Sequence, residues 1–88
     1  MKTIQLKDLT LEYVYILMCN NQRTYVGHTS NIEERLERHV GGRVPATKNI
    51  RPVKLLTYIA FTDKYKAIAF EKYLKSGSGR AFLKKRLI

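Results

Sequence analysis

Two runs of β-branched and aromatic residues, 12–18 and 23–27, stand either side of Asn20-Asn21. Glu12-Tyr13-Val14-Tyr15-Ile16-Leu17-Met18 suits a pleated, half-buried surface, as does the second run. Asparagine tolerates the left-handed backbone angle that a tight turn requires. The pattern predicts a β-hairpin, and its register decides what the hairpin can do. A two-residue loop at Asn20-Asn21 pairs Tyr15 with Val26 and puts Tyr15 and Tyr25 on opposite faces. A three-residue loop, Cys19-Asn20-Asn21 with Asn21 left-handed, pairs Tyr15 with Tyr25 on one face. The second register is expected, because a site that uses both phenols needs them together; a bulge would achieve the same.

The remaining elements follow from period and punctuation. Residues 1–11 read as a weakly periodic lead-in. Thr29 or Ser30 caps a helix running to about residue 40. At about 100° per residue, Ile32, Leu36 and Val40 form its apolar stripe, Arg35 and His39 lie on the flank, and Glu33, Glu34, Glu37 and Arg38 face water. Gly41-Gly42, Pro45 and Pro52 mark residues 41–52 as a loop, and 53–61 read as a third strand. Asp63 caps a second helix over about 64–75 that buries Ala67, Phe70 and Leu74. Ser76-Gly77-Ser78-Gly79 ends it, and a last basic helix, roughly 80–86, turns Phe82 and Leu83 inward. The order predicts one small α+β domain: a three-stranded, mostly antiparallel sheet flanked by helices. Eighty-eight residues that are 44% apolar allow one modest core of this kind.

Charge narrows the partners. The formal net charge is +10, and it is unevenly placed. Residues 1–42 balance Lys2, Lys7, Arg23, Arg35 and Arg38 against Asp8, Glu12, Glu33, Glu34 and Glu37, whereas residues 43–88 oppose twelve Lys/Arg to Asp63 and Glu71 alone. Such a field favours a polyanion. Lys48, Arg51, Lys75, Arg80, Lys84 and Lys85 are its candidate contacts, and Gly27 can bring a phosphate close to backbone. Ser76-Gly77-Ser78-Gly79-Arg80 can cradle an anion where a helix opens, or can simply stop one helix and start the next. A lone cysteine, Cys19, rules out an internal disulfide and a cysteine-based zinc site, and reads as a small apolar residue at a strand end. No apolar stretch spans a bilayer and no signal-peptide core follows Met1, so the expected compartment is the cytoplasm.

Glu71 emerges as the candidate metal ligand by elimination. Three acids lie on the wet face of the first helix, Asp8 and Glu12 precede the core, and Asp63 is a cap. Glu71 is four residues from Ala67 and three from Leu74, so its carboxylate emerges at the core margin. A hard cation such as Mg2+ is content with one carboxylate, waters and a substrate phosphate, whereas a two-metal site wants more acids. The plain alternative is an i,i+4 pair with Lys75. Arg35 can fork onto a phosphate oxygen and stabilise developing charge, or be an ordinary helix-surface cation. His39 on the same flank, and His28 after Gly27, can contact phosphate or relay a proton. Tyr15 and Tyr25 are either packing residues or candidates to activate water, which at a free pKa of about 10 needs help from cations, metal or a relay.

Taken in order, these residues resemble the GIY-YIG nuclease superfamily. Val14-Tyr15-Ile16 stands where the family has GIY, and Tyr25-Val26-Gly27 where it has YIG. Arg35 matches the arginine of the first helix, His39 a histidine one turn later, and Glu71 the metal-binding glutamate. The segment from Phe70 to Phe82 is similar to the small, stand-alone bacterial branch. The resemblance implies a Mg2+- or Mn2+-dependent endonuclease site on one sheet face, holding one ion on Glu71. Arg35 would stabilise the transition state, and Tyr15 or Tyr25 would assist the attacking water. Products would end in 5′-phosphate and 3′-hydroxyl. Val14 replaces the first glycine, His28 stands where some relatives have lysine, and no asparagine follows Asn49. The implied partner is DNA, in repair or recombination, met by a monomer or weak homodimer; a non-catalytic nucleic-acid-binding module on the same scaffold is the alternative. The catalytic reading requires both phenols, Arg35 and Glu71 to gather around a common pocket.

Overall fold

The computed structural model describes residues 3–88; Met1 and Lys2, at the head of the expected lead-in, lie outside them. Strands β1 (Glu12–Met18), β2 (Thr24–Thr29) and β3 (Lys54–Phe61) form one antiparallel sheet in the order β2-β1-β3. Helices α1 (Ile32–Val40), α2 (Lys64–Leu74) and α3 (Gly77–Arg86) flank it. The three-stranded α+β architecture expected from the sequence is therefore the one found.

The hairpin loop has the expected length but sits one residue later. Cys19 N–H donates to the Arg23 carbonyl at 2.9 Å, and Gln22 N–H to the Cys19 carbonyl at 3.0 Å. The loop is thus Asn20-Asn21-Gln22, and Gln22, not Asn21, takes the left-handed angle (φ 66°). Asn21 works through its side chain, which accepts from Arg23 N–H at 3.1 Å. Burial of Cys19 explains the shift, since the residue gains more from staying in the ladder than from turning. Tyr15 accordingly pairs with Gly27, and Leu17 with Tyr25. Moving the loop by one residue moves each pair by two, so the parity survives and both phenols still share a face.

Helix α1 is capped by Asn31, whose side chain accepts from Glu34 N–H, and not by Thr29 or Ser30. Thr29 ends β2, which runs two residues past the expected Gly27, and its hydroxyl accepts from Asn31 N–H at 3.1 Å. The helix is also rotated from the expected stripe. His39 is fully buried while Val40 is 69% exposed. A histidine replaces a valine inside because two buried hydroxyls satisfy both of its ring nitrogens.

One sheet face carries the apolar core: Val14, Ile16 and Val26 pack with Ala67, Leu74 and Leu83 of α2 and α3. Asp63 caps α2 as expected, accepting from Tyr65 and Lys66 N–H. Helix α3 starts at Gly77, earlier than the expected residue 80, because Ser76 caps it by accepting from Gly79 N–H at 3.1 Å. Gly79 is the point where α3 crosses the end of α2. A Cβ there would lie 1.6 Å from the Tyr73 carbonyl oxygen, whereas a Cβ on Gly77 would meet nothing. No rotamer relieves a clash with backbone, so Gly79→Ala is expected to cost about 3 kcal/mol or more. Gly77→Ala is expected to be neutral or stabilising by up to about 1 kcal/mol. Urea denaturation of the two variants checks the contrast.

Candidate active site

The face opposite the apolar core carries Tyr15, Leu17, Tyr25 and Gly27, set there by the period of β1 and β2. The Tyr15 hydroxyl lies 2.8 Å from Nε2 of His39, and Nδ1 of His39 lies 2.7 Å from the Thr47 hydroxyl. All three residues are fully buried. A neutral imidazole joins the two hydroxyls, one nitrogen donating and the other accepting. Burial first, then the Arg35 and Arg38 cations, holds the His39 pKa below its ordinary value, in keeping with a neutral ring. Tyr25, half-buried on β2, packs its ring 6.2 Å from that of Tyr15 and 5.2 Å from that of His39.

Burial pushes the Tyr15 phenol up to about 12, against the pull of the neighbouring Arg35 guanidinium; a charge on Tyr25 pushes the same way as burial. The two phenols are therefore unequal. Tyr15 is dry and tied to His39; Tyr25 is reachable. Gly27 has a use that the sequence did not suggest: a Cβ there would stand 2.5 Å from the Tyr15 hydroxyl, so the missing side chain seats the phenol.

Glu71 sits at the margin of the core with its side chain 15% exposed. Its Oε2 accepts from Lys75 Nζ at 3.0 Å, so the i,i+4 pair weighed from the sequence is formed. Its Oε1 faces Nε2 of His28 at 3.7 Å. Helix α2 packs on the core face, so Glu71 does not share a face with the phenols, and the expected one-faced pocket is corrected. An acid behind a central strand would be out of reach of them. β2, however, is an edge strand, and His28 on it is approached from both sides. Its ring turns to Glu71, while Arg35 Nη1 donates to its backbone carbonyl at 3.5 Å. Arg35 thus reaches the His28 backbone while Glu71 reaches the His28 ring from the core face, and His28 is the residue that stands between them.

Glu12 and Thr47 are buried polar residues beside these groups that neither motif nor charge pattern marks. Glu12 is buried and its Oε2 is 2.6 Å from Nδ1 of His28. Strand parity could have found it, since Glu12, Val14 and Ile16 alternate onto the core face. Nothing local marks Thr47, which lies in an irregular loop. The basic candidates divide in two. Arg51 is committed to the fold, its guanidinium donating to the carbonyls of Lys48 and Val40 at 3.0 Å each. Lys48, Lys84, Lys85 and Arg80 are exposed, and Arg80 and Lys84 line a groove with Arg23, Gln22 and Thr24. The Ser76–Arg80 turn spends its Gly79 N–H on the Ser76 hydroxyl, which makes it a helix start. Burial raises the Cys19 thiol pKa, as befits a packing residue.

Comparison with known proteins agrees with this fold. The family model described as the GIY-YIG catalytic domain matches residues 11–86. A UPF0213 protein of Pediococcus acidilactici is 37% identical over 78 residues, covering 82% of this chain and 76% of its own. A UPF0213 protein of Staphylococcus haemolyticus is 37% identical over 73 residues, with 82% and 89% covered. The solution NMR structure of a UPF0213 protein from Bacillus halodurans is similar with a TM-score of 0.56 at 30% identity, covering 85% of this chain and 83% of that one. The matched span holds both aromatic strings, Arg35 and Glu71, and the chain belongs to the GIY-YIG family of nuclease domains.

Proposed function

We propose that this protein is a metal-dependent endonuclease that hydrolyses DNA phosphodiester bonds as a single bacterial cytoplasmic domain, monomeric or weakly dimeric, in repair or recombination. The observation that carries the reading is that Arg35 and Glu71 both approach His28 of the edge strand, one at its backbone carbonyl and the other at its ring, with Tyr15 and Tyr25 paired on the face that Arg35 approaches from. Arg35 would grip a non-bridging phosphate oxygen and stabilise the charge that develops there. Tyr25, having first passed its own phenolic proton to solvent, would take the proton of the attacking water, since Tyr15 is buried and raised to about 12. Tyr15, His39 and Thr47 would fix the floor beneath it.

Among the described residues, no three His, Cys, Asp or Glu form a metal cage. One partly exposed carboxylate with an oxygen turned away from its lysine partner does fit a hydrated Mg2+ or Mn2+. Glu71 would hold it, and the bound ion would supply Lewis-acid stabilisation of the phosphate charge. Arg80 and Lys84, in the groove with Arg23 at the hairpin-loop end of the sheet, would hold the polyanion to one side of the cut. The Lys75–Glu71 contact favours a second reading, a binding module whose acid is merely neutralised.

Nicking of labelled duplex, branched and single-stranded DNA in Mg2+ or Mn2+ separates the two. Arg35→Ala is expected to slow the chemical step by about tens- to a thousandfold, with affinity at fixed salt falling only by the loss of one phosphate contact. Tight, salt-sensitive binding with no cleavage of any form in either metal would establish the binding module instead.

A further inference from the structure

The catalytic reading leaves Glu12 and the ring of His28 without a task. Glu12 opens β1 and is 7% exposed. A carboxylate so placed needs a partner, and it has one in His28 Nδ1 at 2.6 Å. A contact this short is a charge-assisted hydrogen bond with the ring N–H donating. A neutral ring that spends its Nδ1 proton on Glu12 keeps its lone pair on Nε2. That nitrogen is the one that faces Oε1 of Glu71, at 3.7 Å. Lys75 holds the other oxygen, Oε2, and leaves Oε1 on the histidine side.

A histidine with a carboxylate behind it and a second ligand in front is the usual build of an imidazole metal site. We propose that His28 Nε2 and Glu71 Oε1 together bind one divalent transition-metal ion, with Glu12 fixing the imidazole from behind. The proposal rests on Glu71 being a metal ligand and adds a nitrogen to what would otherwise be an all-oxygen site. Donors about 2.0–2.1 Å from a tetrahedral ion stand about 3.3 Å apart. The observed 3.7 Å closes to that with a small rotation of the Glu71 carboxylate. The two cations nearby leave room: Lys75 is 53% exposed and free to swing away, and Arg35 approaches the His28 carbonyl, not its ring. Imidazole suits Zn2+ and the other later first-row ions better than Mg2+, which prefers oxygen. The site should therefore bind Zn2+ more tightly than Mn2+ before any DNA is present, and Mn2+, at the weak end of the series, serves as the paramagnetic probe of the same two donors.

The test uses the full chain with Mn2+ and no nucleic acid. Pulsed EPR of the wild-type complex should show the 14N modulation of a directly bound imidazole, and His28→Gln should abolish it. Calorimetry should show Mn2+ affinity falling about 10- to 100-fold in Glu12→Gln, and binding lost in Glu71→Gln. Absence of 14N modulation in the wild type, or its persistence in His28→Gln, overturns the proposal. If Glu71→Gln still removes Mn2+ binding in that case, Glu71 stands as the ligand without His28. Mn2+ binding that Glu71→Gln does not change overturns both, as does failure of the wild type to bind Mn2+ at millimolar concentration.

Discussion

Glu71→Gln is expected to lower DNA nicking by about a thousandfold or more, with little change in folding or DNA affinity. Glutamine keeps the volume and shape of the side chain beside Phe70 and Leu74, so the core margin is preserved. The substitution breaks the ion pair with Lys75, but that lysine is 53% exposed, and pairs of this kind contribute at most about 1 kcal/mol. Thermal melting should therefore barely move. Without divalent metal, binding should tighten slightly, because an acid beside the path of a polyanion has been neutralised, and the salt dependence should keep its slope, because no side-chain phosphate contact is lost. Plasmid nicking across a range of Mg2+ and Mn2+ concentrations, with gel shifts at fixed salt, measures all three. Activity within tenfold of wild type would remove Glu71 from the reaction and leave the lysine pair as its whole role.

How far the site was legible in the sequence depends on which physical level set each residue. Asp63 at the head of α2, the Ala67–Phe70–Leu74 stripe and Glu71 at its margin follow from helical period and capping chemistry, which are local. The shared face of Tyr15 and Tyr25 follows from strand parity, and it survived a one-residue error in the loop because a hairpin shift moves pairs by two. What failed was decided by distant partners. Rotation of α1 depends on His39 finding hydroxyls 24 and 8 residues away, at Tyr15 and Thr47. A period count ranks Val40 above histidine for burial, since it counts apolarity and cannot count satisfied hydrogen bonds. Glu12, which precedes the apolar run in sequence, escapes a local reading for the same reason, because its burial is tolerated through His28 on the neighbouring strand. The one-faced pocket failed because element order does not say which sheet face each helix covers.

The two tyrosines give the sharpest contrast, because the site makes them chemically unlike. Tyr25→Phe is expected to reduce single-turnover cleavage by about 10²- to 10⁴-fold, the usual loss on removing a proton acceptor. Its stability should hold, since the ring that packs on Tyr15 and His39 is retained. Tyr15→Phe should do the reverse. Removing that hydroxyl leaves Nε2 of a fully buried His39 without its partner, at a cost of about 1–3 kcal/mol. Cleavage should fall by no more than about tenfold, through loosening of the layer beneath Tyr25. The asymmetry comes from one cause. The Tyr15 phenol, raised to about 12 by burial, is in its neutral form at any pH where DNA chemistry is run, so it serves as a fixed hydrogen-bonding group while the half-buried ring next to it meets the water. Urea denaturation and single-turnover kinetics of both variants, measured side by side, decide the assignment. A Tyr15→Phe protein that keeps its stability and loses as much activity as Tyr25→Phe would transfer the proton-accepting role to the buried ring.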